Sequence, residues 1–227
     1  MIVLTGASGG IGSAILPALT ALDDVIAIYR RPPPDSVASI NCVPYQLDLT
    51  SEQDVQSFAA SMGNSLRQIT VVHAAAVKID GLAAQFSTED WGAVMDVNLR
   101  GNFFLTRALL NPMISDKWGR IIHLSAIAGM RAATGGLAYS TSKTGLLGMS
   151  RTLAHEYARF GITSNVLALG YFNAGMYKML TESIRQDLLR LIPSGQLGDI
   201  SNIVHAVEFL MKSTYVNGAT INIDGGV

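Results

Sequence analysis

The 227 residues are too few for two full domains and ample for one doubly wound α/β unit. Apolar residues make up 49% and charged residues 15%, so a large core can form, and a net charge of −1 with no basic run beyond Arg30–Arg31 excludes a nucleic-acid surface. Cys42 is the only cysteine, which rules out an internal disulfide and suits a reducing cytoplasmic compartment. No stretch approaches the roughly 20 apolar residues of a membrane span. The start Met1–Leu4, cut short by Thr5-Gly6, does not read as a secretory signal. His73, His123, His155 and His205 lack ligand spacing, so no metal site is expected.

In chain order, Ile2–Leu4 reads as a strand and about Ile11 to Ala21 as a helix, with a glycine turn between them. Val25–Tyr29 and Cys42–Leu47 are the next strands, with Pro32–Pro34 a rigid surface loop. Ser51–Met62 is a helix with Ser51 and Asp54 as a capping pair. Ile69–His73 is a fourth strand, and Ser87–Leu110 a long helix with an acidic start. Ile121–Leu124 is a fifth strand. Tyr139–Phe160 is a helix ended by Gly161, Ser164–Leu169 a sixth strand and Ala219–Ile223 a seventh. The alternation predicts one domain over 1–227: a doubly wound, parallel, seven-stranded Rossmann sheet with helices on both faces.

The first strand runs into Thr5-Gly6-Ala7-Ser8-Gly9-Gly10-Ile11-Gly12. Glycines there permit a tight turn and close approach of a pyrophosphate, and the following helix points free N–H groups at it. This Thr-Gly-x-x-x-Gly-x-Gly spacing resembles the fingerprint of the short-chain dehydrogenase/reductase family. Further family motifs follow in order along essentially the whole chain: Asp48 after the third strand, Val97-Asn98-Leu99, Tyr139-Ser-Thr-Ser-Lys143, and Asp224-Gly225-Gly226. The similarity is greatest to the β-ketoacyl-carrier-protein reductases and their relatives of unassigned substrate.

The resemblance implies a nicotinamide cofactor held by Thr5, Gly6, Ser8, Gly10, Ile11, Asp48, Leu49, Ala74, Ala75, Ala76, Tyr139, Lys143, Gly170 and Phe172, with Asp48 at the adenine. The second strand ends in Tyr29-Arg30-Arg31, which offers cations to a 2′-phosphate and no acceptor to a free diol. Arg30 and Arg31 therefore point to NADP(H) rather than NAD(H); as ordinary solvated arginines they would say nothing.

Tyr139 and Lys143 lie one helical turn apart and share a face. An ammonium near the phenol would lower its pKa, making Tyr139 a general acid for carbonyl reduction. By resemblance, Lys143 also binds the nicotinamide ribose, and Asn98 holds the water that links Lys143 to solvent.

Three positions depart from the family. Matching Gly119-Arg-Ile-Ile122 and Gly129 puts Ala126 in the catalytic serine column, with Ser125 one step earlier and expected to face elsewhere. His73-Ala-Ala-Ala76 replaces Asn-Asn-Ala-Gly, and Leu169-Gly170 with Ala174 replaces Pro-Gly and a threonine. Losing the serine hydroxyl forfeits about 2–4 kcal/mol of transition-state stabilisation by analogy with oxyanion donors. Three readings stay open: a carbonyl reductase with Tyr139 as sole donor, a reductase of a C=N or conjugated C=C bond, or a weakly active NADP(H)-binding protein.

The substrate lid is expected over Tyr171–Gly195, with Phe172, Met176, Tyr177, Met179 and Leu180, faced by Met130 and Leu137. Such a wall suits a small hydrophobic substrate, although the same residues at helical spacing also suit plain core. Arg131 would meet an anionic group or face water. A homodimer or homotetramer follows from the resemblance.

Overall fold

Seven short apolar runs assemble into a single sheet in the order β3-β2-β1-β4-β5-β6-β7, every neighbouring pair parallel. The strands are β1 (Ile2–Thr5), β2 (Val25–Tyr29), β3 (Cys42–Gln46), β4 (Ile69–His73), β5 (Gly119–Ala126), β6 (Ile162–Leu169) and β7 (Thr220–Ile223). The computed structural model describes residues 1–31, 41–129, 131, 134–175, 177 and 180–227. The loop expected at Pro32–Pro34 and the wall residues Met130, Met176 and Met179 lie outside these.

Parallel strands need crossovers, and the helices supply them: α1 (Gly10–Leu19), α2 (Glu52–Met62), α3 (Thr88–Met95), α4 (Gly101–Asp116), α5 (Leu137–Tyr157), α6 (Glu182–Leu191) and α7 (Ile200–Lys212). On one face α1 and α7 cover Ile2, Leu4, Val72, Ile122, Leu124 and Leu167 with Ile15, Leu19, Ile203 and Val207. On the other, Val3, Ile26, Ile28, Val71 and Ile121 pack against Phe58 of α2 and Leu105, Leu109 and Met113 of α4. Each such aliphatic burial stabilises by about 1.5–3 kcal/mol. Alternation along the strands assigns successive residues to opposite faces, which is why the runs are apolar throughout.

Several local devices act as the sequence predicts. The Ser51 hydroxyl accepts from Asp54 N at the start of α2, and Ser87 from Asp90 N at the start of α3. Gly161 adopts φ +73° after α5 and a short 3₁₀ turn. The expected helix Ser87–Leu110 is instead three pieces: α3, a π turn over Asp96–Arg100, and α4 running through Pro112 to Asp116. Two helices go unread in the sequence, α6 and α7. The signal for α7 is present: Asp199 caps Ser201 N, and Ile200, Ile203, Val204, Val207, Leu210 and Met211 recur at helical spacing.

At the end opposite the glycine turn, Arg120 is buried and pairs with no carboxylate among the described residues. Its Nε donates to Met211 O at 3.1 Å, and Nη1 to Gly119 O and Gly161 O at 2.8 and 3.1 Å. The guanidinium lies 4.4 Å from the Trp118 ring centroid. One cation thereby joins the start of β5 to the ends of α5 and α7. Among the described residues no helix is long and apolar enough to cross a membrane, and no group of three or more His, Cys, Asp or Glu is placed to hold a metal ion.

Candidate active site

The strand order reverses between β1 and β4, and a crevice at such a switch point is where open α/β sheets bind ligands. The turn after β1 and the segment after β4 flank it. Thr5 Oγ1 ties them together by accepting from Ala74 N and Ala75 N at 3.0 and 3.1 Å. Gly6 (φ +66°) passes so close that a Cβ would stand 2.6 Å from Ala75 Cα. Helix α1 opens on Gly9 with no side-chain cap and no acidic residue in its first turn, so its leading N–H groups at Gly10 and Ile11 are free for an anion. Ser8 lies partly exposed in the same turn.

Segment 171–175 closes over this turn from the β6 side. Gly175 (φ +58°) lies on Gly10 so tightly that a Cβ on Gly10 would stand 2.5 Å from Gly175 N and nearer still to its Cα. Gly170 donates its N–H to Ile223 O of β7. Phe172 is 3% exposed, packed into the α1–α7 core against Gly198, so its ring belongs to the fold rather than to an open cleft. Ala174 and Tyr177 are buried as well, and Leu180 is half-buried. Leu137 stays 46% exposed at the start of α5, and Arg131 is exposed.

A second cavity of about 550 Å³ opens beyond β2 and β3, lined by Arg30, Gln46, Leu47 and Asp48 among others. Arg30 Nε lies 3.2 Å from Asp48 Oδ2, and Asp48 Oδ1 accepts from Thr50 N and Oγ1. Partial burial raises the Asp48 carboxyl, but the Thr50 hydrogen bonds and Arg30 outweigh it and hold the group below its ordinary value. Leu49 is buried beside it and Arg31 is exposed.

Helix α5 brings Tyr139 and Lys143 to one buried face, 7% and 3% exposed. Lys143 Nζ donates to Leu124 O at 2.8 Å and lies 5.7 Å from the Tyr139 ring centroid. Burial pushes the phenol up to about 12 and the ammonium down to about 8. The phenol is thus shifted opposite to the sequence expectation, because Lys143 binds a strand carbonyl and desolvation dominates.

Asn98, fully buried in the π turn, has its amide committed: Oδ1 accepts from Val77 N, while Nδ2 donates to Val77 O and Ser142 Oγ, all within 3.0 Å. Its carbonyl accepts from Asn102 Nδ2 at 2.7 Å. Asn98 therefore fastens the segment after β4 to α5. Ser125 donates to Lys143 O at 3.0 Å and is buried against α5, whereas Ala126 is only half-buried at the strand end. A bridge between Gly81 and Gly136 ties the chain after β4 to the residue that precedes α5.

The structure thus brings Thr5, Gly6, Ser8, Gly10, Ile11, Ala74, Ala75 and Ala76 around the switch point, with Tyr139, Lys143 and Asn98 at the ends of β4 and β5. Sequence reasoning gave no role to the His73–His123 pair, whose rings stack in the sheet interior. The available signal was a histidine in each of two strands that are mostly aliphatic.

A family model described as short chain dehydrogenase matches residues 1–185. The chain is 33% identical over 229 aligned residues to a 3-oxoacyl-[acyl-carrier-protein] reductase of Rickettsia conorii, covering 99% of this chain and 95% of the relative. It is 32% identical over 228 residues to the 3-oxoacyl-[acyl-carrier-protein] reductase of Homo sapiens (98% and 95% covered). It is 31% identical over 237 residues to nodulation protein G of a Rhizobium species (99% and 95%).

Proposed function

Because the chain belongs to the short chain dehydrogenase family of nicotinamide-dependent oxidoreductases, we propose that it is an NADP(H)-dependent reductase of a carbonyl on a hydrophobic, 3-oxoacyl-type substrate. The observation that carries this is the buried Tyr139–Lys143 pair on one face of α5, beside a glycine turn whose helix N-terminus lacks a cap.

The residues present fit the cofactor. Thr5, Gly6, Ser8, Gly10 and Ile11 would take the pyrophosphate on the N–H groups at the start of α1, and Ala74, Ala75, Ala76, Gly170 and the backbone of Phe172, whose ring is turned into the core, would bound the nicotinamide half. Leu49 and Asp48 would meet the adenine, and Arg30 with Arg31 the 2′-phosphate. The Arg30–Asp48 bridge uses Nε alone, leaving the terminal nitrogens of the fork for a second anion. When bound, the nicotinamide supplies the hydride. Tyr139, with a pKa near 12, is protonated at neutral pH and gives its phenolic proton to the carbonyl oxygen as that oxygen becomes negative. Lys143 keeps a positive charge beside the phenolate that results, and through Ser142 Asn98 holds α5 in register with the chain after β4.

Ala126 favours a second reading. With Ser125 already donating to Lys143 O, neither position offers a hydroxyl to the substrate oxygen, as suits a C=N or conjugated C=C substrate. The cytoplasm as location, a single domain over 1–227 and a homodimer or homotetramer complete the proposal. Phe103, 44% exposed on α4, and Leu137 supply apolar surface for self-association, which light scattering reads directly.

The test is NADPH oxidation with a 3-oxoacyl thioester and a cyclic imine, in wild type and Tyr139→Phe. Turnover on the thioester, abolished in the variant, is the expected result. Preference for the imine selects the second reading, and substantial activity of Tyr139→Phe overturns the mechanism.

A further inference from the structure

Two imidazoles lie side by side in the sheet interior, on the face where Val3, Ile26, Ile28, Val71 and Ile121 form the apolar core. His73 ends β4, His123 lies in β5, and the parallel register sets them side by side. Their rings stack with centroids 4.9 Å apart and planes within 6°, and they are 1% and 0% exposed. Two residues earlier on the same face stand Val71 and Ile121, packed with α4. His73 Nε2 meets Thr106 Oγ1 at 2.9 Å. His73 Nδ1, both nitrogens of His123 and Asn102 Oδ1 have no partner among the described residues. Asn102 and Thr106 are one turn apart on α4, so these four orphaned atoms belong to one wedge between α4, β4 and β5. Aliphatic side chains would remove every orphan on the two rings, so packing alone does not account for them.

Lys143 does. Its nitrogen has one hydrogen bond among the described residues, to the carbonyl of Leu124, the neighbour of His123. Its charge reaches both rings. The titratable groups facing it are His123 from β5, His73 from β4 and Tyr139 from its own helix. Among the described residues, Asn98 of the π turn pairs with Ser142 beside it and Thr106 of α4 pairs with His73, both neutral. A cation buried without an anion needs dipoles, and buried polar orphans are ordinarily satisfied by ordered water.

We propose that the stacked His73–His123 pair is a positioning element for Lys143: two neutral imidazoles which, with Asn102 and ordered water, form a polar bed that keeps the ammonium charged inside the core. The rings stay neutral because burial and the charge of Lys143 both oppose protonation, which holds His123 at about 3 and His73 well below its ordinary range. The proposal rests on Lys143 belonging to a reductase site, but its test does not depend on turnover.

The ionisation of Lys143 is followed by ¹³Cε NMR in the cofactor-free protein, the resonance assigned with Lys143→Arg, and the pH profile of kcat is recorded in parallel. In His123→Leu the Lys143 midpoint should fall by about half a pH unit or more, with the alkaline limb of kcat following it and Tm unchanged or higher. His123→Gln, which keeps a polar group, should return the midpoint toward wild type, and His205→Gln, at an exposed position of α7, should leave it unmoved. An unchanged midpoint in His123→Leu overturns the proposal, as does a fall in Tm without a shift. If that variant does not fold, His73→Leu is read in the same way. Failure of both to fold also overturns it, because a bed for Lys143 requires that aliphatic rings-for-chains exchanges be tolerated. Wild type without turnover would sink the reductase reading alone, since the NMR midpoint still decides the histidines.

Discussion

Replacing Gly10 by alanine should separate cofactor binding from folding. Its new methyl carbon would stand 2.5 Å from Gly175 N and nearer still to Gly175 Cα, where ordinary contact begins at 3.4 Å, so one backbone must retreat by more than about 1 Å. The start of α1 is anchored by β1 and by the core residues Ile15, Leu16 and Leu19. Segment 171–175 is held chiefly by the Phe172 ring against Gly198 and by Gly170 on β7, so this segment moves. Full burial of such a ring stabilises by about 1.5–3 kcal/mol, and partial unseating should lose about 1–2 of these. That corresponds to roughly 5- to 30-fold weaker NADPH binding, with Tm lower by about 2–8 °C. Fluorescence titration and calorimetry measure the two. Gly12→Ala is the contrast: its Cβ would stand 2.8 Å from Gly6 C and closer to Gly6 O, inside the rigid turn itself, so stability falls first. Wild-type cofactor affinity in Gly10→Ala would refute the reasoning.

Three further outcomes are expected. Arg30→Ala should weaken NADPH by roughly 5- to 30-fold and leave NADH unchanged, the modest size reflecting an exposed side chain; equal loss for both cofactors in a fluorescence titration contradicts the 2′-phosphate assignment. Ala126→Ser should raise kcat on a ketone if the site lacks a second donor, and leave a cyclic imine flat or slower through an unpaired hydroxyl; steady-state kinetics on both substrates decides. Arg120→Met should cost about 3 kcal/mol by stranding the Met211 and Gly161 carbonyls, lowering Tm by roughly 6–12 °C without changing KM, since Arg120 lies at the far end of the sheet.

The sheet was legible because a parallel strand buried on both faces is built mostly of apolar residues, as Val25–Ile28 and Val71–Val72 are. Strand ends were read too short at Gly119, Arg120, Ser125 and Thr163, where polar or glycine residues continue the ladder. The glycine turn, Tyr139 and Lys143 came from spacing, and Asn98 from the family resemblance. What spacing cannot carry is direction: that Lys143 turns to Leu124 O, that the amide of Asn98 is spent on Val77, and that Phe172 turns into the core are outcomes of three-dimensional competition for hydrogen bonds and apolar surface. The break of the long helix was invisible because Asp96–Arg100 carries no glycine or proline, and its wide turn is set by the pairing of Asn98 with Val77 rather than by propensity.

That wide turn sets an azimuthal phase. Each residue of an α-helix advances the side-chain direction by about 100°, so one surplus residue rotates everything upstream relative to everything downstream by that angle. Upstream, α3 presents its buried Val94 while packing beside α5; downstream, Leu105, Leu109 and Met113 of α4 meet the sheet. Removing any single residue between Asp96 and Arg100 would yield a smoother helix with a full set of i→i−4 bonds, yet one of the two halves would then face the wrong neighbour. This stretch should consequently tolerate exchanges of side chain at Val97 or Arg100 far better than a change of length. A deletion scan across residues 90–106 should find its sharpest intolerance there.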